Sequence, residues 1–505
     1  MRAPMLFRLF RWSVLGLAVL PSLHSQEPAG ALPIETGIWS GGHGSLEGER
    51  VEWVPLGIAF ERKGASLSGE AAVQGVPMKL SGTIDGDPVE FRFGRSIALR
   101  VFRGQLQGDT LIGTIDVGGR TDVARLVRER AGPATADAGN AGIYADEAGT
   151  VLVRLSRHLV FLEPATGLSR ALYTYDGERY RYGPRLAVPA PVSGEMRFGR
   201  DPTGRIDALV WETAEGGTRT LKRIGPAAVQ PFAFRSHGFT LHGDLYLPPG
   251  EGPHPAVVWV HGSGKATRAG AGSWPLFLVS QGFAALAVDK RGVGASEGRY
   301  ELADGGHDNR AHMLRRAEDV AAAVQALKAR PEILDERVGL MGGSQAGWVM
   351  PVAAGLEPVL FTITVSGGAT ALSVEGRFSD QASELAADAS SRSVEEVVEE
   401  LRSYQPRDPD FDDYFAAQTA PGLWLYGGRD RSNPSILCKE RIERLAAEHR
   451  RDFTVALFPE GNHSLFLTRH GGGAETHALD LMVPGLHARI EAWLREKGFT
   501  PAAAR

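Results

Sequence analysis

"VGLMGGSQAGW", Val338 to Trp348, opens as an apolar strand, breaks into glycines around Ser344 and runs on into residues that suit a helix. Strand, sharp turn and helix around one serine is the context of a nucleophile elbow, most often written G-x-S-x-G. Here glycine stands two places before the serine, but Ala346 stands two places after it. The small residues have a physical reason. A serine that exposes its hydroxyl on such a turn adopts a strained backbone, and the helix then crosses close to the strand. Alanine adds one methyl group there. A Gly-Gly-Ser turn alone is equally a plain strand-to-helix loop, so the surrounding sequence has to decide.

From about Phe232 onward, "PAVVWVHG", "FAALAVDK", "VGLMGGS", "FTITVSGG", "GLWLYGG" and "FTVALFPEG" are short and almost continuously apolar, as strands buried on both faces should be. Between the second and third, Met313, Ala317, Val320, Val324 and Leu327 trace one face of a helix that Pro331 ends. Strand and helix in alternation predict a mostly parallel sheet with helices on both sides. "GFTLHGDLYLPPG" adds an antiparallel edge hairpin. An insertion at about 369–420 carries Val394, Val397, Val398 and Leu401 on one helical face, with glutamates on the other. It is expected to form a small helical cap beyond the carboxyl edge of the sheet, where such folds bind ligands.

Order and spacing lift Ser344 above a plain loop. "YGGRD" puts Asp430 at the end of the fifth apolar strand, and "PEGNHSLF" puts His463 just past the sixth. Ser, Asp, His, each after a successive strand, is the chain order of the α/β-hydrolase triad. The chemistry needs all three types. A serine hydroxyl is too weak an acid to attack unaided, so His463 would take its proton and Asp430 would orient and stabilise the imidazolium. His261-Gly262-Ser263-Gly264 follows the first apolar strand, where one backbone N–H of an oxyanion hole is expected from Gly262 or Ser263; Gln345 would give the other.

Rival motifs fail on inspection. "GSGK" lacks the distal glycine of a phosphate loop, since Trp259 stands there, and Ala266 replaces the required Ser or Thr. No histidine pair has H-E-x-x-H spacing, so no metal and no cofactor is expected. Asn462-His463-Ser464 matches a glycosylation sequon but is too short a match to carry weight.

The region from about Phe232 to Phe499 resembles bacterial α/β-hydrolases of the dienelactone hydrolase and acylaminoacyl-peptidase-like group, related to prolyl oligopeptidase. The resemblance rests on "HGSG", "DKRGVGASEG" (Asp289 to Gly298), "GGSQAGW", "YGGRD" and "GNHSLF". It implies an α/β-hydrolase fold, Ser344 as nucleophile, Asp430 as triad acid, His463 as base and Gln345 as an oxyanion donor. The D-x-R-G-x-G-x-S loop is usually a structural turn near the pocket, which implies structural roles for Asp289 and Arg291.

Ahead of this catalytic half, at 226–500, the chain is β-rich. From about Gly37 to Leu126 short alternating segments with Gly-Asp and Gly-Gly turns read as antiparallel β, with Ile97, Leu99 and Val101 assigned to one face. This gives a domain at 26–130. A second β-like stretch, with Val151, Val153 and Leu155 alternating, falls within 131–225 and is either a separate module or a continuation of the first. No period of about 40–50 residues marks a propeller.

Composition narrows the partners. The chain has 505 residues, 43% apolar and 23% charged, with a net charge of -5. That balance gives no basic field for nucleic acid. Its one cysteine, Cys438, excludes an internal disulfide and a multi-cysteine zinc site, and is expected to be a half-buried structural thiol. Arg2, Arg8 and Arg11 precede the apolar run "WSVLGLAVLPSL", and Ser25 supplies a small residue at a cut site. Residues 1–25 thus read as a secretory signal peptide rather than an anchor, because the apolar run is well short of the ~20 residues that span a bilayer. The expectation is a periplasmic or secreted bacterial protein with no stable membrane span after cleavage. β modules also provide oligomer interfaces, so a homodimer is compatible with the sequence.

Three functions compete. The first is an exported serine hydrolase acting on a small-molecule ester through an acyl-enzyme. The second keeps the triad but cleaves short peptides, as prolyl-oligopeptidase-like enzymes do. In the third, the β-rich N-terminal half is the working part and binds an envelope component.

Overall fold

The computed structural model describes residues 36–501, apart from 48–49, 52, 74–75, 86–87, 95–98, 131–133, 214–215, 301–308, 383–386, 388–389, 409, 474 and 476–478. The signal-peptide reading of residues 1–25 lies outside the described residues, as does Ile97.

Short strands joined by tight glycine turns close on themselves in the first region. Two-residue turns at Gly108-Asp109 and Gly118-Gly119, with positive φ at the glycines, match the right-handed strand twist. Eight antiparallel strands from Thr36–Gly44 to Arg120–Glu129 form a closed barrel, because the first strand pairs both with Val54–Lys63 and with the last. Side chains fill the interior. Trp39 stacks on Phe60, and Phe91 stacks on Phe102 at 4.5 Å. The inward face of the strand Arg100–Gln107 carries Phe102, Gly104 and Leu106, so Val101 points outward and Leu99, just before the strand, is 47% exposed. The face that Leu99 and Val101 share is therefore the outer one, since inward and outward positions alternate along a barrel strand.

The second region is a separate eight-stranded antiparallel sheet, Gly142 to Gly225, whose two edge strands, Leu168–Leu172 and Tyr180–Tyr182, are nearly joined by a bridge from Tyr173 to Arg181. One side encloses Tyr144, Val151, Val153, Phe161, Tyr182 and Trp211. The other side is also dry. Ile143, Leu152 and Leu162 enter one continuous core with residues of the catalytic half, which explains why Val151, Leu152 and Val153 are all fully buried.

The catalytic half is built on a third eight-stranded sheet. Its strands are β1 (Ala228–Ser236), β2 (Phe239–Leu247), β3 (His254–Val260), β4 (Ala284–Val288), β5 (Ile333–Gly343), β6 (Thr362–Val365), β7 (Gly422–Gly427) and β8 (Phe453–Phe458). They lie in the order β1-β2-β4-β3-β5-β6-β7-β8. The β1–β2 hairpin is antiparallel and pairs antiparallel with β4, while all later pairs are parallel. Both faces are covered. On one, α2 (Asn309–Lys328) and α3 (Ala346–Leu356) pack Met313, Ala317, Val324 and Val349 against Val258 and Leu340. On the other, α1 (Trp274–Ser280) and α8 (Leu486–Glu496) pack Phe277, Ile490 and Trp493 against Val257 and Met341. Successive strand residues thus serve opposite cores, and the continuous apolar runs follow. This is the α/β-hydrolase fold.

Between β6 and β7 the insertion forms α4 (Leu372–Ala382), α5 (Val394–Leu401) and α6 (Asp412–Ala417). Ser393 and Glu396 cap α5 reciprocally, and Val394, Val397, Val398 and Leu401 pack on Phe378 and Ala382. Among the described residues no helix is long and apolar enough to cross a membrane.

Candidate active site

The turn after β5 holds Ser344 at φ 57°, a left-handed conformation that costs a serine roughly 1–3 kcal/mol and persists only where its surroundings fix it. Three backbone bonds fix it here. The Ser344 N–H donates to Val365 O at 3.1 Å, and Ser344 O accepts from the N–H groups of Gly347 at 2.9 Å and Gly368 at 3.0 Å. The off-pattern alanine is accommodated by its partner: a Cβ on Gly342 would lie 2.3 Å from Val260 O and 2.7 Å from the Ala346 methyl. One glycine of the pair is therefore required, and the other position tolerates a methyl.

Asp430, on the turn after β7, is wholly buried. Its Oδ1 accepts from the N–H groups of Ser432 and Asn433 at 2.9 Å, and its Oδ2 from the Ser435 hydroxyl at 2.8 Å. His463, in the loop after β8, places Nδ1 at 3.0 and 2.9 Å from the two carboxylate oxygens. An N–H on Nδ1 leaves Nε2 as the basic nitrogen. Asn462 shapes that loop, its Oδ1 accepting from the N–H groups of Ser464 and Phe466 at 3.0 Å. The sequon asparagine thus holds the histidine loop. Ser344, Asp430 and His463 all lie at the carboxyl edge of one sheet, past β5, β7 and β8.

The loop after β3 packs directly on the serine, because a Cβ on Gly262 would stand 3.0 Å from Ser344 Cβ and 3.5 Å from its Oγ. Two cations set how that loop is turned. Arg316, from α2, donates through Nη2 to His261 O at 2.6 Å and through Nη1 to Gln345 Oε1. Lys290, just past β4, donates to Gly262 O at 2.5 Å and Gly264 O at 2.7 Å. In a trans peptide the C=O and the following N–H point in opposite directions. With the carbonyls of His261 and Gly262 drawn toward the cations, the N–H groups of Gly262 and Ser263 point away from them. Gln345 precedes α3, where first-turn N–H groups have no intrahelical partner.

Sequence reasoning missed Lys290 and Arg316. Arg316 carried a usable signal, since it falls three places after Met313 and four before Val320, on the apolar face of α2. Burial holds Arg316 down at about 10 and Lys290 well below the usual ammonium range.

The remaining candidates are structural. Burial pushes His261 down to about 3; it donates from Nε2 to Val288 O at 2.8 Å and accepts at Nδ1 from Trp259 Nε1 at 3.2 Å. Asp289 pairs with Arg268 at 2.9 Å and accepts from Ala295 N–H, and Arg291 pairs with Asp319 at 3.1 Å. Cys438 is fully rather than half buried, on the inward face of α7 (Ser435–His449), where burial pushes its thiol up to about 12.

Two tethers join the site to its surroundings. Arg431, next to Asp430, donates to Ala382 O and Arg392 O of the cap, each at 2.9 Å. The histidine loop is laced to residues 479–483, with Leu467 N–H to Leu481 O and Val483 N–H to Leu465 O, both 2.8 Å. That segment is in turn laced to the second β sheet. Met482 N–H donates to Gly167 O at 2.9 Å, Leu186 N–H to Leu479 O at 3.0 Å, and buried Arg170 pairs with Asp480.

Residues 237–462 match the family X-Pro dipeptidyl-peptidase (S15 family). A 114-residue stretch is 32% identical to the uncharacterized protein PA2218 of Pseudomonas aeruginosa, covering 22% of this chain and 28% of that relative. The match therefore spans little more than a quarter of that relative's length. Similar solved structures include that Pseudomonas protein (17% identical, 54% of this chain and 94% of that one, TM-score 0.38) and an esterase of Pyrococcus furiosus (17%, 53% and 91%, TM-score 0.38).

Proposed function

We propose that this chain, a serine hydrolase of the α/β-hydrolase superfamily, cleaves small carboxylic esters through an acyl-enzyme on Ser344. The observation that carries the reading is the buried Asp430 hydrogen-bonded to His463 Nδ1, two strands along from a serine at φ 57°. His463 Nε2 takes the Ser344 proton as Oγ attacks the ester carbonyl. The tetrahedral oxyanion accepts from the N–H of Gln345 and from that of Gly262 or Ser263. Collapse of this intermediate breaks the ester bond, and His463 gives its proton to the departing alcohol. Water then attacks the acyl-enzyme, His463 takes its proton and returns it to Ser344, and the acid leaves.

Electrostatics favours an ester over a peptide with a free N-terminus. Lys290 and Arg316 flank the oxyanion loop, and the nearby carboxylates of Asp289 and Asp319 are already paired with arginines. A substrate α-ammonium would meet like charge there. The match to a family of X-Pro dipeptidyl-peptidases supports the second reading, a peptidase using the same residues. A panel of p-nitrophenyl acyl esters against aminoacyl and Xaa-Pro anilides decides between them, and esters are expected to give the higher kcat/KM. Higher values on the anilides would reverse the assignment. Export follows from the N-terminal sequence; Edman sequencing of the protein from a bacterial periplasm should begin near residue 26, and a start at residue 1 would refute it.

A further inference from the structure

Beside the oxyanion loop, between α2 and the ends of β3 and β4, lies a cavity of about 90 Å³. Its floor is apolar, with Val258, Val320 and Ala323, and its walls are cationic, with Lys290, Arg315 and Arg316. The two carboxylates in the lining are spent elsewhere: Asp289 faces Arg268 at 2.9 Å and Asp319 is paired with Arg291. Lys290 has three N–H donors and gives two of them to carbonyl oxygens; Arg316 has five and gives one to a carbonyl and one to an amide oxygen. Neither cation has a carboxylate among these partners, and each keeps N–H donors unspent. Asp319 acts on Arg316 only as a nearby charge already paired with Arg291, and enclosed cations whose hydrogen bonds go only to neutral acceptors are in a costly setting, which an anion relieves.

We propose that this cavity binds a small organic carboxylate, with its head between Lys290 and Arg316 and a short apolar tail on Val258, Val320 and Ala323. The volume sets the size. A cavity of about 150 Å³ accepts benzene, so this one takes a tail of roughly three or four carbons. The lowered proton affinities of both cations agree with an enclosed setting that a carboxylate would reverse. Because the same two side chains turn the oxyanion loop, an occupied cavity bears on turnover; this link, unlike the binding itself, rests on the ester-hydrolase reading. The carboxylate has two sources, the substrate's own second acid group or a free acid such as a short-chain product.

Calorimetry on the full chain carrying Ser344→Ala, which keeps the cavity and removes the nucleophile, tests binding apart from catalysis. Butyrate should bind saturably at one site and butyramide, its neutral counterpart, at least about tenfold more weakly. Ala323→Leu, which fills the floor, should weaken butyrate about tenfold. Lys290→Met, checked for an intact melting transition, should do the same by removing the charge. Equal affinity for butyrate and butyramide, no saturable binding, or an unchanged affinity in both cavity variants would overturn the proposal. In wild-type kinetics against a neutral ester, competitive inhibition by butyrate assigns the site to the substrate's own acid, and non-competitive inhibition assigns it to a free acid. No inhibition at saturating butyrate would overturn the link to turnover. Retained butyrate binding in a chain that hydrolyses no ester would instead contradict the hydrolase reading while the site stands.

Discussion

The two β units ahead of the catalytic half are made from the same kind of strand yet are joined to the molecule by different chemistry. Every core residue of the closed barrel comes from residues 39–126, so it packs on itself. Its junction with the second unit includes polar contacts: Arg181 to Asp109 at 2.5 Å, Arg130 to Asp137 at 2.7 Å, and Arg130 N–H to Thr174 O at 2.8 Å. The second unit instead shares one apolar core with α1 and α8 and reaches the histidine loop through residues 479–483. A shared dry core cannot be divided without exposing both sides, whereas a polar junction around a self-sufficient core can. The second unit is thus a layer of the catalytic half, and the barrel is an attachment to it.

Removing both units is the most damaging way to test that division. A chain starting at residue 226 loses the apolar cover that Ile143, Leu152 and Leu162 add to the shared core beside α1, and is expected to be poorly soluble with kcat/KM down by about 100-fold or more, the scale of loss when catalytic geometry is displaced. A soluble fragment with full esterase activity would break the comparison.

Arg170→Ala probes the tether alone. It leaves the carbonyls of Gly183 and Pro184 without their Arg170 donor and Asp480 with Arg185, 3.4 Å away, in place of its closer partner. Loss of about 3 kcal/mol in thermal unfolding is expected, with kcat falling about tenfold and KM little changed, because the histidine loop shifts while substrate contacts stay. A stability loss with unchanged kcat would show that the second unit only packs.

At the barrel junction the expected effect is on stability and not on rate. Burial raises the Glu129 carboxyl to about 7, 3.9 Å from His158, whose imidazole burial lowers to about 4. The folded state prefers Glu129 protonated. Its contribution is therefore fully present below the unfolded value near 4.5 and is lost as pH rises through about 7. His158 acts in the opposite sense, its contribution lost as pH falls from 6.5 through about 4. The barrel transition in wild type should weaken between pH 6 and 8 by roughly 1–3 kcal/mol, and Glu129→Gln should remove that dependence. An equal pH dependence in the variant would exclude Glu129 as its source.

The smallest effect is expected from deleting residues 36–128, which should leave kcat/KM of the remaining enzyme within about twofold. A larger loss would mean that the barrel also supports the site.

Much of the catalytic half was legible because two-sided burial writes itself as continuous apolar runs such as Val257-Val258-Trp259, and because the candidate residues stand where those runs end. The barrel was less legible. Alternation put Leu99 and Val101 on one face but did not say which face is inward, because the inward positions include Gly104. Leu152 was passed over because alternation at Val151 and Val153 already accounted for a strand, and only docking on α1 explains a third buried residue. Lys290 and Arg316 went unmarked, since what holds them is a set of backbone and amide oxygens distant in the chain. Arg170 and Asp480 lie 310 positions apart, a pairing that no local pattern carries.

The central claim is that Ser344 is the nucleophile, and active-site labelling tests it most directly. Wild type and Ser344→Ala would be treated with a fluorophosphonate and followed by intact-mass spectrometry and peptide mapping. The account predicts one adduct on wild type, mapped to Ser344, and none on the variant. An adduct that persists in Ser344→Ala, or a wild type that hydrolyses esters without ever being labelled, would contradict it.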